Sequence, residues 1–92
     1  PNGATEMYAF VSIPEGMKAT HVDIFDKNNL PVEVFEIQIN ATTMTSKGSG
    51  NANTTIDITD VASTATNLLA IEVTTGSVNN RVYGGTITIA AQ

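Results

Sequence analysis

The only histidine of the chain, His21, stands two residues before Asp23 in the stretch "GMKATHVDIFD". An imidazole beside a carboxylate is a pairing used by general bases and by oriented metal ligands. Spacing decides what this pair can do. On a strand, residues i and i+2 share a face but lie about 7 Å apart, too far for a direct hydrogen bond. A nucleophile is missing as well: there is no cysteine and no G-x-S-x-G turn. We read His21 and Asp23 as polar residues on the outer face of a strand and assign no catalytic residue.

The other polar groups read in the same way. Asp23 with Asp26, and Asp57 with Asp60, could lend oxygens to a calcium ion, but "DIFDKNN" lacks the spacing of a calcium loop. Turn formation and capping account for these acids, so no metal site and no cofactor are expected. A glycosidase-like carboxylate pair needs a cleft, which so small a chain rarely forms. "NAT" at Asn40 and "NTT" at Asn53 match the glycosylation pattern, in a threonine-rich chain where chance matches are expected. Two binding features remain. Tyr8 and Phe10 share one face of the first strand, as a contact with a partner or a platform for a sugar ring. Asn28 and Asn29 in "DKNN", with Asn51 and Asn53 in "KGSGNAN", could present polar contacts from loops.

These residues must be positioned by a single small domain of 92 residues. Without cysteine, any added stability must come from assembly with other chains. The net charge of -5, from four basic and nine acidic residues, argues against a nucleic-acid partner and an anionic membrane. No apolar run approaches the roughly 20 residues of a membrane-spanning helix. Charged residues make up 14%, against about 25% in ordinary domains, and Thr, Asn, Ser and Gly replace them. Such a hydroxyl-rich surface suits β structure in an extracellular or virion-exposed protein. The first residue, Pro1, points to a processed or partial chain, with residues 1–5 as an arm.

Two-residue alternation runs along most of the sequence. "EMYAFVSI" has apolar residues on both faces, which predicts a strand covered on both sides. "KATHVDIFD" places Thr20, Val22 and Ile24 inward, with Ala19, His21, Asp23 and Phe25 outward. In "LPVEVFEIQI" the phase slips between Val34 and Phe35, which predicts a bulge or bend there; Pro31 marks a strand entrance or edge. A short polar strand is expected at 42–46, with "KGSGNAN" as a flexible loop. "TTIDIT" and "NLLAIEVTT" alternate cleanly. "DVASTAT" is the one candidate for a helical turn, capped by Asp60. "GSVNN" reads as a turn, and Gly84–Gly85 as a bulge or close approach in the last strand. The fold class is therefore all-β: a small antiparallel β-sandwich, immunoglobulin-like or jelly-roll-like, with six to eight strands and at most one helical turn. The predicted core is Val11, Ile13, Val22, Ile24, Val34, Ile56, Ile58, Val61, Leu69, Ile71, Val73, Ile87 and Ile89. The strand near 42–46 and the C-terminal strand carry almost no charge, which an edge tolerates if another chain covers it.

Several phrases occur together: "IPEGMKATHVDIFD", "VEVFEIQIN", "TSKGSGN", "STATNLLAIEV" and "VYGGTITIA". They resemble a family of small proteins of marine tailed phages, including phages of cyanobacteria and of abundant ocean heterotrophs. The family pattern reads "IP.G.KATHV.I", "TSKG.GN", "I.ITDV", "TNYLLI.V" and "YGG.VTI". The resemblance runs from about Val11 to Ala90. One departure is "TNLLAI", where Leu68 and Leu69 stand in place of an aromatic after "TN". No catalytic residue transfers with the pattern. The resemblance implies a non-enzymatic component of the virion surface. A capsid decoration or cementing module is expected, bound to the major capsid protein or to a tail or fibre protein and itself a homo-oligomer. The alternatives are a receptor- or carbohydrate-binding module of a tail or head fibre, touching a host glycan, and an extracellular filament subunit held by strand exchange.

Overall fold

The computed structural model describes residues 5–76 and 80–92. It is all-β, with seven strands in chain order: β1 Thr5–Val11, β2 Met17–Asp26, β3 Pro31–Gln38, β4 Met44–Asn51, β5 Thr55–Ala62, β6 Asn67–Thr75 and β7 Val82–Ala91. They form a four-stranded sheet, β1-β6-β3-β4, and a three-stranded sheet, β5-β2-β7, antiparallel throughout. The central pairs β2–β5 and β3–β6 are those at the heart of an immunoglobulin-like sandwich. Relative to that order, the first and last strands stand in each other's sheets.

The core is the set of inward positions on both sheets. Val22, Val34 and Leu69 are fully enclosed, with Ile13, Ile24, Ile56, Ile58, Val61, Ile71 and Val73 around them. Val11 and Ile87 are partly buried against this cluster. Ile89 departs from expectation at 39% exposure: it lies on the edge strand β7 and only partly under the facing sheet. Ala19, Leu30, Val32, Ala52 and Ala70 are buried in addition.

Two irregularities set which residues face in. Ala19 pairs with Ile89 and His21 with Thr88, so Thr20 is an extra residue in β2. This bulge turns Ala19 inward and leaves His21 outward, where simple alternation had placed both outside. The predicted break at Val34–Phe35 is present, but the extra residue, Lys47, belongs to β4: Val34 pairs with Gly48 and Phe35 with Ser46. Against β6, β3 runs without a shift.

Three other expectations are corrected. "KGSGN" lies within β4 rather than in a flexible loop. A Cβ at Gly50 would come within 2.9 Å of Ile56 Cγ1, so glycine there lets β4 lie close on β5 and seal that side of the sandwich. Asp60 and Val61 continue β5, and no helical turn forms. Residues Met7, Tyr8 and Phe10 of β1 are exposed, so this strand is uncovered on both faces. The expected turn at 76–80 and the arm at 1–5 fall largely outside the described residues.

Candidate functional site

Cross-strand neighbours in an antiparallel sheet share a face. On the outer face of the four-stranded sheet, one register row runs Phe10–Ala70–Phe35 and the next runs Leu68–Ile37–Met44. Ile39 follows just beyond the end of β3, 67% exposed. Phe10 is 63% exposed, and the ring of Tyr8 lies beside it, centroids 6.2 Å apart and planes 10° from parallel. These residues form one apolar field, in which Tyr8, Phe10, Ile39 and Met44 are exposed and Ala70 is buried between its neighbours.

The other half of the face is acidic. Tyr8 pairs with Glu72, Glu72 with Glu33, and Glu6 with Thr74. Like charges directly opposite on a sheet repel, so Glu33 and Glu72 favour a cation brought from outside. An open depression of about 330 Å³ lies over them, with Pro31, Ser49, Asn51 and Thr74 at its rim. Tyr8 joins the two halves: its hydroxyl donates to Glu72 Oε2 at 2.6 Å. That hydrogen bond, followed by burial and the negative charges of Glu6 and Glu72, pushes the phenol up to about 12.

The four asparagines expected in loops gather at one end of the sandwich, around Asp26, with Asn51 as the last residue of β4. The Asp26 carboxylate is buried and accepts from the backbone N–H of Asn28, Asn29 and Leu30 at 2.9, 2.7 and 3.0 Å. Asn53 Nδ2 donates to Asp26 O, Asp26 Oδ1 and Asn29 Oδ1, and Asn51 Nδ2 donates to Asn29 O. Asn29 and Asn53 both adopt left-handed backbone, φ 54° and 65°. Asparagine tolerates that region better than most residues. These amides hold the turn between β2 and β3 to the turn between β4 and β5. Sequence reading placed the asparagines in loops but did not bring them together, and it took Asp26 only for a turn former.

His21 partners Asp57 across the strand pair rather than Asp23, with Nε2 3.6 Å from Oδ1, while Thr20 Oγ1 lies 2.8 Å from Nδ1. Asp23 accepts from Thr55 Oγ1 at 2.7 Å. Among the described residues no three His, Asp or Glu side chains cluster as metal ligands would. At the opposite end, buried Asn67 donates to Glu36 Oε2 and to Ala62 O, and Glu36 also meets Lys47 at 3.5 Å. This polar group caps the core, and among the described residues no buried side-chain polar atom is without a partner.

No protein-family model, curated protein or solved structure matches the chain. The outer face of the four-stranded sheet is therefore the candidate site on its own geometry, as a surface for contact.

Proposed function

We propose that the protein is a non-enzymatic structural component of a phage particle, a decoration or cementing module seated on the capsid surface. The observation that carries this reading is the face just described, with Phe10, Tyr8, Ile39 and Met44 exposed beside Glu6, Glu33 and Glu72. Exposed apolar area of this kind marks a binding surface. Its complement is a protein surface with an apolar centre flanked by Lys or Arg, as a shell protein can present. The phage-like phrases of the sequence supply the setting. A glycan-binding role would draw on Asn51 and Asn53, whose side-chain amides already donate within the fold, and on the stacked Tyr8–Phe10 pair; the breadth of the apolar field beyond that pair favours the decoration role.

The test is recovery of the chain from purified particles made by the genome that encodes it. Stoichiometric recovery, density on the shell, and loss of both with Phe10→Glu are expected. Particles without the chain, or density on the tail alone, sink the proposal.

A further inference from the structure

A second surface follows from the unequal sheets. β4 and β5 close one side of the sandwich, and three strands cannot cover four, so β1 has no strand facing it. Its inward residues record this: Met7 is 47% exposed and Ala9 is exposed, although they stand in register with buried Val73 and Ile71. The vacancy is an open groove of about 210 Å³ between β1 and β7, lined by Met7, Ala9, Val11, Val73, Val82 and Ile87. On either side of it, β1 and β7 each pair with a single neighbour, so among the described residues each leaves one edge of backbone groups unpaired by any strand. The gap is one strand wide, apolar, and ready to pair along both rims.

We propose that a second copy of this chain fills the gap, each copy inserting its β1 beside the other's β7. β1 and β7 run in the same direction. Met7, near the start of β1, and Val82, at the start of β7, both line the groove, and Gln92, just past β7, bonds Gly16, the last residue of the turn that leads from β1 into β2. A two-fold axis parallel to the strands, midway between the layers, then places β1 of one copy in the vacant layer of the other. Both vacancies are filled at once, and the sheets join into two continuous layers of the form β4-β3-β6-β1-β7-β2-β5. An ordinary edge-to-edge pairing of two β7 strands is blocked, because the overhanging β1 would meet the other copy's four-stranded sheet.

Charge favours a second copy on this side. Both sheet faces are acidic in a chain of net charge -5: Glu6, Glu33 and Glu72 on one, Asp23, Asp57 and Asp60 on the other. β7 carries no charge from Val82 to Ala91. Glu6 and Arg81 precede the groove residues Met7 and Val82 by one position each, so the two-fold brings Glu6 of one copy level with Arg81 of its mate. Arg81 makes no ion pair among the described residues and is exposed.

Sedimentation over a concentration series tests the pairing. A dimer is expected. Glu6→Arg and Arg81→Glu should each raise its dissociation constant about 3- to 10-fold, since the pair occurs twice, and the double swap should restore it. Ala9→Asp should raise it more than about 100-fold while circular dichroism shows an intact fold. A monomer up to millimolar concentration, or a dimer indifferent to all three changes, overturns the proposal. Neither result touches particle binding through Phe10, which is read in a separate assay.

Discussion

Asp26 and Asn53, 27 positions apart, hold each other by backbone and side chain at once: Asn53 Oδ1 accepts from Asp26 N at 3.1 Å, and Asn53 Nδ2 donates to Asp26 O at 3.0 Å. The chain crosses here from the three-stranded sheet to the four-stranded one after β2, and back again after β4. Asn53 N also donates to Ile24 O at 2.7 Å, so two turns that each cross between the sheets share one knot.

Removing the Asp26 carboxylate strands three buried or half-buried backbone donors. Asp26→Ala should cost about 3 kcal/mol of stability, a large share of what a small domain possesses. Asp26→Asn keeps the shape but turns an amide toward N–H donors, and should cost about 1–3 kcal/mol. Urea denaturation measures both; a change under about 0.5 kcal/mol for Asp26→Ala would show that the knot is not structural.

Asn29 separates backbone conformation from hydrogen bonding. Its φ of 54° suits glycine, and its side-chain oxygen accepts from Asn53 Nδ2 at 2.6 Å. Asn29→Gly should lose about 0.5–1.5 kcal/mol for the bond alone. Asn29→Ala should lose about 1 kcal/mol more, because alanine is strained at positive φ. Equal denaturation midpoints for the two variants would count against this division.

These relationships bear on how far the sequence could be read. Strict alternation around Val22–Ile24, Ile56–Ile58 and Leu69–Val73 made those strands and their inward faces legible. Irregular positions were not. Thr20 is an ordinary residue whose bulge only pairing reveals, so Ala19 was assigned to the wrong face. Glycines in "KGSGN" signal a loop by propensity, yet Gly50 serves the close packing of β4 on β5, a tertiary demand invisible to local preference. Asp60 reads as a helix cap, while a bulge in β5 brings Val61 back to the core. Tyr8 and Phe10 were correctly put on one face. That face gained Phe35, Ile37, Leu68 and Met44 only once strand order was known, since none of these lies near Tyr8 in sequence.

The predicted irregularity at Gly84–Gly85 leads to a further test. Phe25 pairs with Gly84 and Asp26 with Val82, leaving Tyr83 as the extra residue. Next to it, a Cβ on Gly85 would stand 2.5 Å from Asp23 O and 2.7 Å from Ile24 Cδ1. A backbone oxygen cannot move aside cheaply, so Gly85→Ala should cost more than about 2 kcal/mol. At Gly76 an added Cβ meets nothing within 4 Å, and Gly76→Ala should stay within about 0.5 kcal/mol of the parent. Thermal melts of the two single variants check the contrast, and similar melting temperatures would refute the packing at Gly85.

Tyr8 links the acidic and apolar halves of the candidate face through a proton that can be titrated. The hydrogen bond to Glu72, then burial and nearby negative charge, raise the phenol from 10.0 to about 12 in the folded protein. A group that binds its proton more tightly when folded adds stability below its unfolded pKa and loses it as pH rises through the folded value. The contribution of Tyr8 should therefore be intact below pH 10 and disappear between about pH 10 and 12. Glu72→Gln removes the charge and weakens the acceptor, so the phenol should ionise closer to 10 and the alkaline loss at this site should shrink. Ultraviolet titration of tyrosinate in a Tyr83→Phe background isolates the Tyr8 signal. If Tyr8 ionises at the same pH with and without Glu72→Gln, the hydroxyl is not bound to that carboxylate, and the join between the two halves of the face is lost.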